Sequence, residues 1–142
     1  MGVVITRETD YALRILRALG DGEKHLTADV AESCMIPLAF TYKIIIKLRE
    51  ANLIEVTRGA QGGIRAACDY HQATVLDVFE AMGEELVLND CLRNGAACEW
   101  REQRGSDYCH VHHHLHALQD TVLQSLSKLT LADLLFDDVC GA

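Results

Sequence analysis

Three features predict a mainly α fold: one proline in 142 residues, three phenylalanines against many Leu, Ala and Glu, and apolar residues recurring every three or four positions. They favour helices over a sandwich or barrel of short strands, and the composition rules out disorder and fibre. The 49% hydrophobic and 24% charged content fits one soluble globular domain, or a small domain carrying an extra helix.

The elements follow in order. Thr6 caps a first helix whose Ala12, Leu13, Leu16 and Leu19 share one face, before the Gly20-Asp21-Gly22 turn. Thr27 caps a short second helix through Cys34. Pro37 suits the first turn of a third helix to about Glu50, where a missing N–H costs nothing. Leu53 to Val56 and Ile64 to Ala66 read as strands joined by the glycine-rich segment Thr57 to Gly63. A helix, a tight turn, a longer helix and a basic hairpin make a winged helix. A fourth helix over about Thr74 to Met82 carries Val75, Val78, Phe79 and Met82 on a core face. Residues 83–109 are polar, with no helical or strand period, and a loop of that length usually serves a purpose. Val111, Leu115, Leu118, Val122, Leu126 and Leu129 then mark a helix of about twenty residues that needs an apolar partner. Leu131, Leu134, Leu135 and Phe136 form a short last helix.

Four segments result: a winged helix–turn–helix DNA-binding domain over 1–67, a connecting helix over 68–90, a cysteine loop over 91–110, and a long C-terminal dimerisation helix with its short successor over 111–142. The long stripe has too little surface to bury itself against so small a domain, so a second copy is its expected cover. A homodimer also has the two-fold symmetry of a palindromic operator in double-stranded DNA.

The net charge of −8 conceals an uneven distribution: residues 1–67 carry a balance of +1 and residues 68–142 a balance of −9. The basic face therefore lies in the winged helix. Lys43 and Lys47, four apart on the third helix, are expected phosphate contacts, with Phe40 and Tyr42 beside them. Arg58, with Gly62 and Gly63, gives a hairpin tip able to approach the DNA backbone closely. A protein-interaction role for the helix–turn–helix is the plainer alternative; the arginine-bearing wing favours DNA.

The longest apolar run, Cys34 to Phe40, has seven residues, against about 20 needed to cross a bilayer. The opening residues lack a secretory apolar stretch and match a myristoylation pattern only loosely. A cytoplasmic chain without membrane attachment is expected. In that reducing compartment six cysteines suggest metal or redox chemistry. Cys91-x6-Cys98-x10-Cys109 has the room to wrap an iron–sulfur cluster, while the lack of C-x2-C argues against a compact zinc knuckle. Three thiolates leave one position for another ligand. Asp10 and His112 are the candidates, although Asp10 can instead pair with Arg14, and His112 can be one of several histidines on a solvent-facing helix start. Cys34, Cys68 and Cys140 read as small buried hydrophobes.

Asp10 to Arg14, the stretch Val30 to Phe40, Leu48 to Ile54, Arg58-Gly59-Ala60-Gln61-Gly62-Gly63, the three-cysteine loop and Thr130 to Leu135 together resemble the Rrf2 family of winged-helix regulators, the IscR, NsrR and RsrR type. That resemblance implies a dimeric transcription factor, not an enzyme, whose DNA affinity follows the state of a bound cluster. It maps Cys91, Cys98 and Cys109 onto the cluster cysteines. His112 corresponds to the fourth ligand of a [2Fe–2S] branch, and Asp10 to an acidic ligand that other branches supply from the partner subunit. The cysteine spacings are longer than the family's, which leaves [2Fe–2S] or [4Fe–4S] open. Tyr42 replaces a base-reading glutamate, so the operator sequence does not carry over.

Two cluster-free alternatives keep the winged helix: a thiol–disulfide sensor using two of the three loop cysteines, and a divalent-metal sensor using His112 and His116. A small metalloenzyme lacks any supporting motif.

Overall fold

The computed structural model describes residues 5–136. Seven helices and one two-stranded sheet occur among them: α1 (Arg7–Ala18), α2 (Thr27–Ser33), α3 (Leu38–Glu50), β1 (Ile54–Thr57), β2 (Gly63–Ala66), α4 (Val75–Ala81), α5 (Glu99–Arg104), α6 (His110–Lys128) and α7 (Leu131–Phe136), with a 3-10 turn at Asp90–Leu92.

Thr6 caps α1 as expected, its hydroxyl accepting from the Thr9 amide. α2 differs. Leu26 is its N-cap, without a side-chain bond, and Thr27 already lies inside the helix. The cause is long-range: His25 is held extended by a bridge to Ile64, with N–O distances of 2.9 and 2.8 Å. Both ends of the turn-and-helix unit close through left-handed residues. After α2, Met35 (φ 57°) lets the Ile36 amide reach the Ala31 carbonyl at 2.9 Å; after α3, Asn52 (φ 59°) lets Leu53 reach Leu48 at 2.9 Å. Leu53 is thus consumed by the helix end, so β1 begins at Ile54.

The hairpin register places Ile54 opposite Ala66, Glu55 opposite Arg65 and Val56 opposite Ile64. Ile54 and Ile64 point into a core with Ala12, Ile15, Leu16, Leu19, Ile44 and Leu48. α4 adds Val78 and Met82 to that core, and its start carries a full capping box between Thr74 and Asp77. α7 does not stay with α6. Leu131 is fully buried in the same core, and the Leu131 amide donates to the Ala73 carbonyl at 2.9 Å.

α6 packs against α4 and the 3-10 turn on one side, yet none of its residues is buried. Val111 and Leu118, both from the predicted seam, are 61% and 53% exposed.

Candidate nucleic-acid interface and cysteine segment

Alternation of burial along α3 decides which side chains can meet a partner. Thr41, Ile44, Ile45 and Leu48 face the core; Leu38, Phe40, Tyr42, Lys43, Ile46 and Arg49 face outward. Phe40 is held edge-on by Tyr11 (ring centroids 6.4 Å apart), and the Lys43 ammonium lies 5.8 Å from its ring centroid. Lys47 takes a different course from Lys43. Its ammonium pairs with the Glu8 carboxylate and donates to the Met82 carbonyl at 3.3 Å, so it ties α3 to α1 and to the end of α4.

On the wing, Arg65 is neutralised by the facing Glu55 at 2.6 Å, while Arg58 is exposed and makes no ion pair among the described residues. The two glycines have structural reasons to be there. A Cβ on Gly62 would lie 2.6 Å from the Thr57 carbonyl oxygen, and one on Gly63 2.6 Å from that of His25. They let the hairpin close on itself and on the His25 segment.

The cysteine segment contains more structure than its sequence suggests. Cys91 sits in the 3-10 turn, Cys98 is the N-cap of α5 and Cys109 is the N-cap of α6. All three thiols are free and half-buried. As donors they suit an iron–sulfur cluster, but among the described residues no three His, Cys, Asp or Glu side chains converge as a metal-holding group. Within the single chain the set is therefore not closed. Asp10 pairs with Arg14 at 2.8 Å. His112 lies with Cys109, His116 and Asp120 in the lining of a cavity of about 470 Å³, and its enclosed Nδ1 has no hydrogen-bond partner.

The remaining cysteines separate clearly from these. The Cys34 thiol donates to the Arg14 carbonyl at 3.4 Å. Burial pushes the Cys68 thiol up, opposed by a backbone hydrogen bond and reinforced by Asp69 and Asp77. Since alkylation needs the thiolate, Cys68 is expected to react slowly with iodoacetamide at neutral pH, faster as pH rises, and fast again at neutral pH on unfolding. Peptide mass mapping checks this; rapid labelling of native Cys68 at pH 7 would refute the burial argument. Cys140 lies outside the described residues.

Sequence reasoning missed Glu84. Its carboxylate accepts hydrogen bonds from the Thr6 and Thr9 hydroxyls across more than seventy residues of chain, at the positive end of α1. Lys47 reaches the Met82 carbonyl two residues earlier. The segment leading to Cys91 is thus fastened to both α1 and the outward-facing helix α3. Nothing in the local pattern around Glu84 signals this. α5 was also missed, although Gly105 in left-handed conformation (φ 58°) is the helix-ending signal that marks it.

Among the described residues no helix is long and apolar enough to cross a membrane. The family described as "Rrf2: Iron-dependent Transcriptional regulator" matches residues 5–137. The HTH-type transcriptional regulator NsrR of Geobacillus kaustophilus is 33% identical over 136 residues, spanning 94% of this chain and 90% of that protein. The HTH-type transcriptional regulator IscR of Vibrio parahaemolyticus is 28% identical over 111 residues, 78% of this chain and 62% of that protein. Among solved structures, T. potens IscR superimposes with a TM-score of 0.70 at 22% identity, covering 100% of this chain and 94% of that one. CymR, the global cysteine regulator of B. subtilis, gives 0.67 at 20%, covering 94% and 97%. With the outward α3 face and wing already in place, the chain belongs to the Rrf2 family of winged-helix transcriptional regulators, and it is not an enzyme.

Proposed function

We propose that this regulator binds a palindromic operator as a homodimer and changes its DNA affinity with the state of an iron–sulfur cluster at Cys91, Cys98 and Cys109. In this reading residues 1–67 contact DNA, 68–90 connect, 91–110 sense and 111–142 pair the two copies. Lys43, Arg49 and Arg58 meet phosphates; Lys47 holds α3 to its neighbours. Three half-buried, unpaired thiols on a segment fastened through Glu84 and Met82 to α1 and α3 carry the proposal. The exposed Val111 and Leu118 on a helix with no buried residue favour a second copy along α6.

When bound, the cluster would supply a centre that changes with oxidation, nitric oxide or iron loss. The chain's own part is to convert a rearranged segment 83–109 into a different setting of α1 and α3. Asp10 or His112 is the fourth ligand, and the orphaned His112 Nδ1 gives that residue the stronger motive.

Protein prepared without oxygen is expected to be coloured, to contain iron and acid-labile sulfide, to run as two chains by light scattering, and to lose colour in Cys109→Ser. A colourless, sulfide-free protein would overturn the cluster. A second reading then stands on the same free thiols: a disulfide formed between two of them on oxidation. Metal-free protein whose DNA affinity follows added oxidant would establish it.

A further inference from the structure

We infer that α3 reads the 5-methyl groups of thymine, so that the half-site is rich in A·T pairs. The inference rests on the DNA-binding reading and names what that surface selects. The first turns of a recognition helix meet base edges, and on α3 the outward residues there are Leu38, Phe40, Tyr42 and Lys43, with Ile46 one turn on. Thr41 is buried and spends its hydroxyl on the Pro37 carbonyl at 3.2 Å.

Arg or Lys reads guanine by two-point contact, Asn or Gln adenine, and Asp or Glu cytosine; of these, residues 38–46 contain Lys43 alone, whose ammonium lies against the Phe40 ring. Their apolar members Leu38, Phe40, Tyr42 and Ile46 are nonetheless 43–53% exposed. In the major groove only thymine offers an apolar group to match. Phe40 is already fixed between Tyr11 and Lys43, so little freedom is lost when a methyl group packs on it.

The wing points the same way by separate physics. Arg58 is an exposed guanidinium at the hairpin, and the narrow minor groove of A-tracts concentrates negative potential that attracts such a group. Lys43, Arg49 and Arg58 on this side favour a polyanion over a protein as the cover for the apolar patch.

The test begins with full-length protein selecting from a pool of random-sequence duplexes. The enriched duplex is then remade with deoxyuridine at each thymine in turn. An A·T-rich consensus is expected, with binding weakened about fourfold for each contacted methyl removed, the worth of one buried methylene. Leu38→Ala and Phe40→Ala change exposed side chains and should each abolish the penalty at one position while far-UV circular dichroism is unchanged. A G·C-rich consensus, or binding indifferent to uracil, would overturn the inference alone. No enrichment of any duplex would remove the DNA-binding reading, and this one with it.

Discussion

Glu84→Ala should lower stability and blunt the response to the sensor at the same time. The carboxylate accepts from Thr6 and Thr9, and Thr9 is fully buried, so truncation leaves a hydroxyl facing the core side of α1 without its acceptor. Losing a hydrogen bond to a charged group costs about 1–3 kcal/mol, enough to move a thermal midpoint by several degrees in a chain of this size. Glu84→Gln keeps an acceptor oxygen and removes the charge beside the α1 N-terminus, so it should lose less. If the link also transmits the signal, Glu84→Ala protein will bind operator with similar affinity in both sensor states, as a gel-shift titration would report. A variant with unaltered melting and an undiminished affinity difference would dismiss both roles.

Gly63→Ala should dislodge the wing. The added methyl would sit 2.6 Å from the His25 carbonyl oxygen and 2.9 Å from Lys24 Cγ, and the first of these is backbone that cannot swing away. The strand must retreat, which strains the paired hydrogen bonds between His25 and Ile64. Overpacking of this kind costs about 1–3 kcal/mol, and operator affinity should fall with it. Arg58→Ala provides the contrast. Its side chain is exposed, so stability should hold within about 0.5 kcal/mol while binding weakens and the salt slope drops by about 1. Equal losses of stability in the two variants would contradict the structural role given to Gly63.

The winged helix was legible because its signals are local: Thr6 as a cap, Pro37 at a helix start, glycines at a hairpin, and apolar residues at helical spacing. The same locality explains what the sequence leaves unseen. Lys43 and Lys47 look equivalent by spacing, and only the position of Glu8 and Met82 separates them. Gly62 and Gly63 look like a tip made for DNA, yet the carbonyls of Thr57 and His25 account for them. Thr27 is displaced as a cap by the bridge between His25 and the distant Ile64. For the cysteines, spacing singles out three thiols on one segment, but among the described residues they do not converge with other ligands, and convergence is a three-dimensional property that spacing does not carry.

Met35 and Asn52 bracket α3 with two backbone reversals that bulky side chains rarely adopt. Each is anchored by an amide reaching back into the helix it follows, Ile36 to Ala31 of α2 and Leu53 to Leu48 of α3, so the turns on both sides of α3 are held. On the proposed reading, a signal arriving through Glu84 or Lys47 alters how α3 is set against its neighbours, while the side chains it offers outward stay the same.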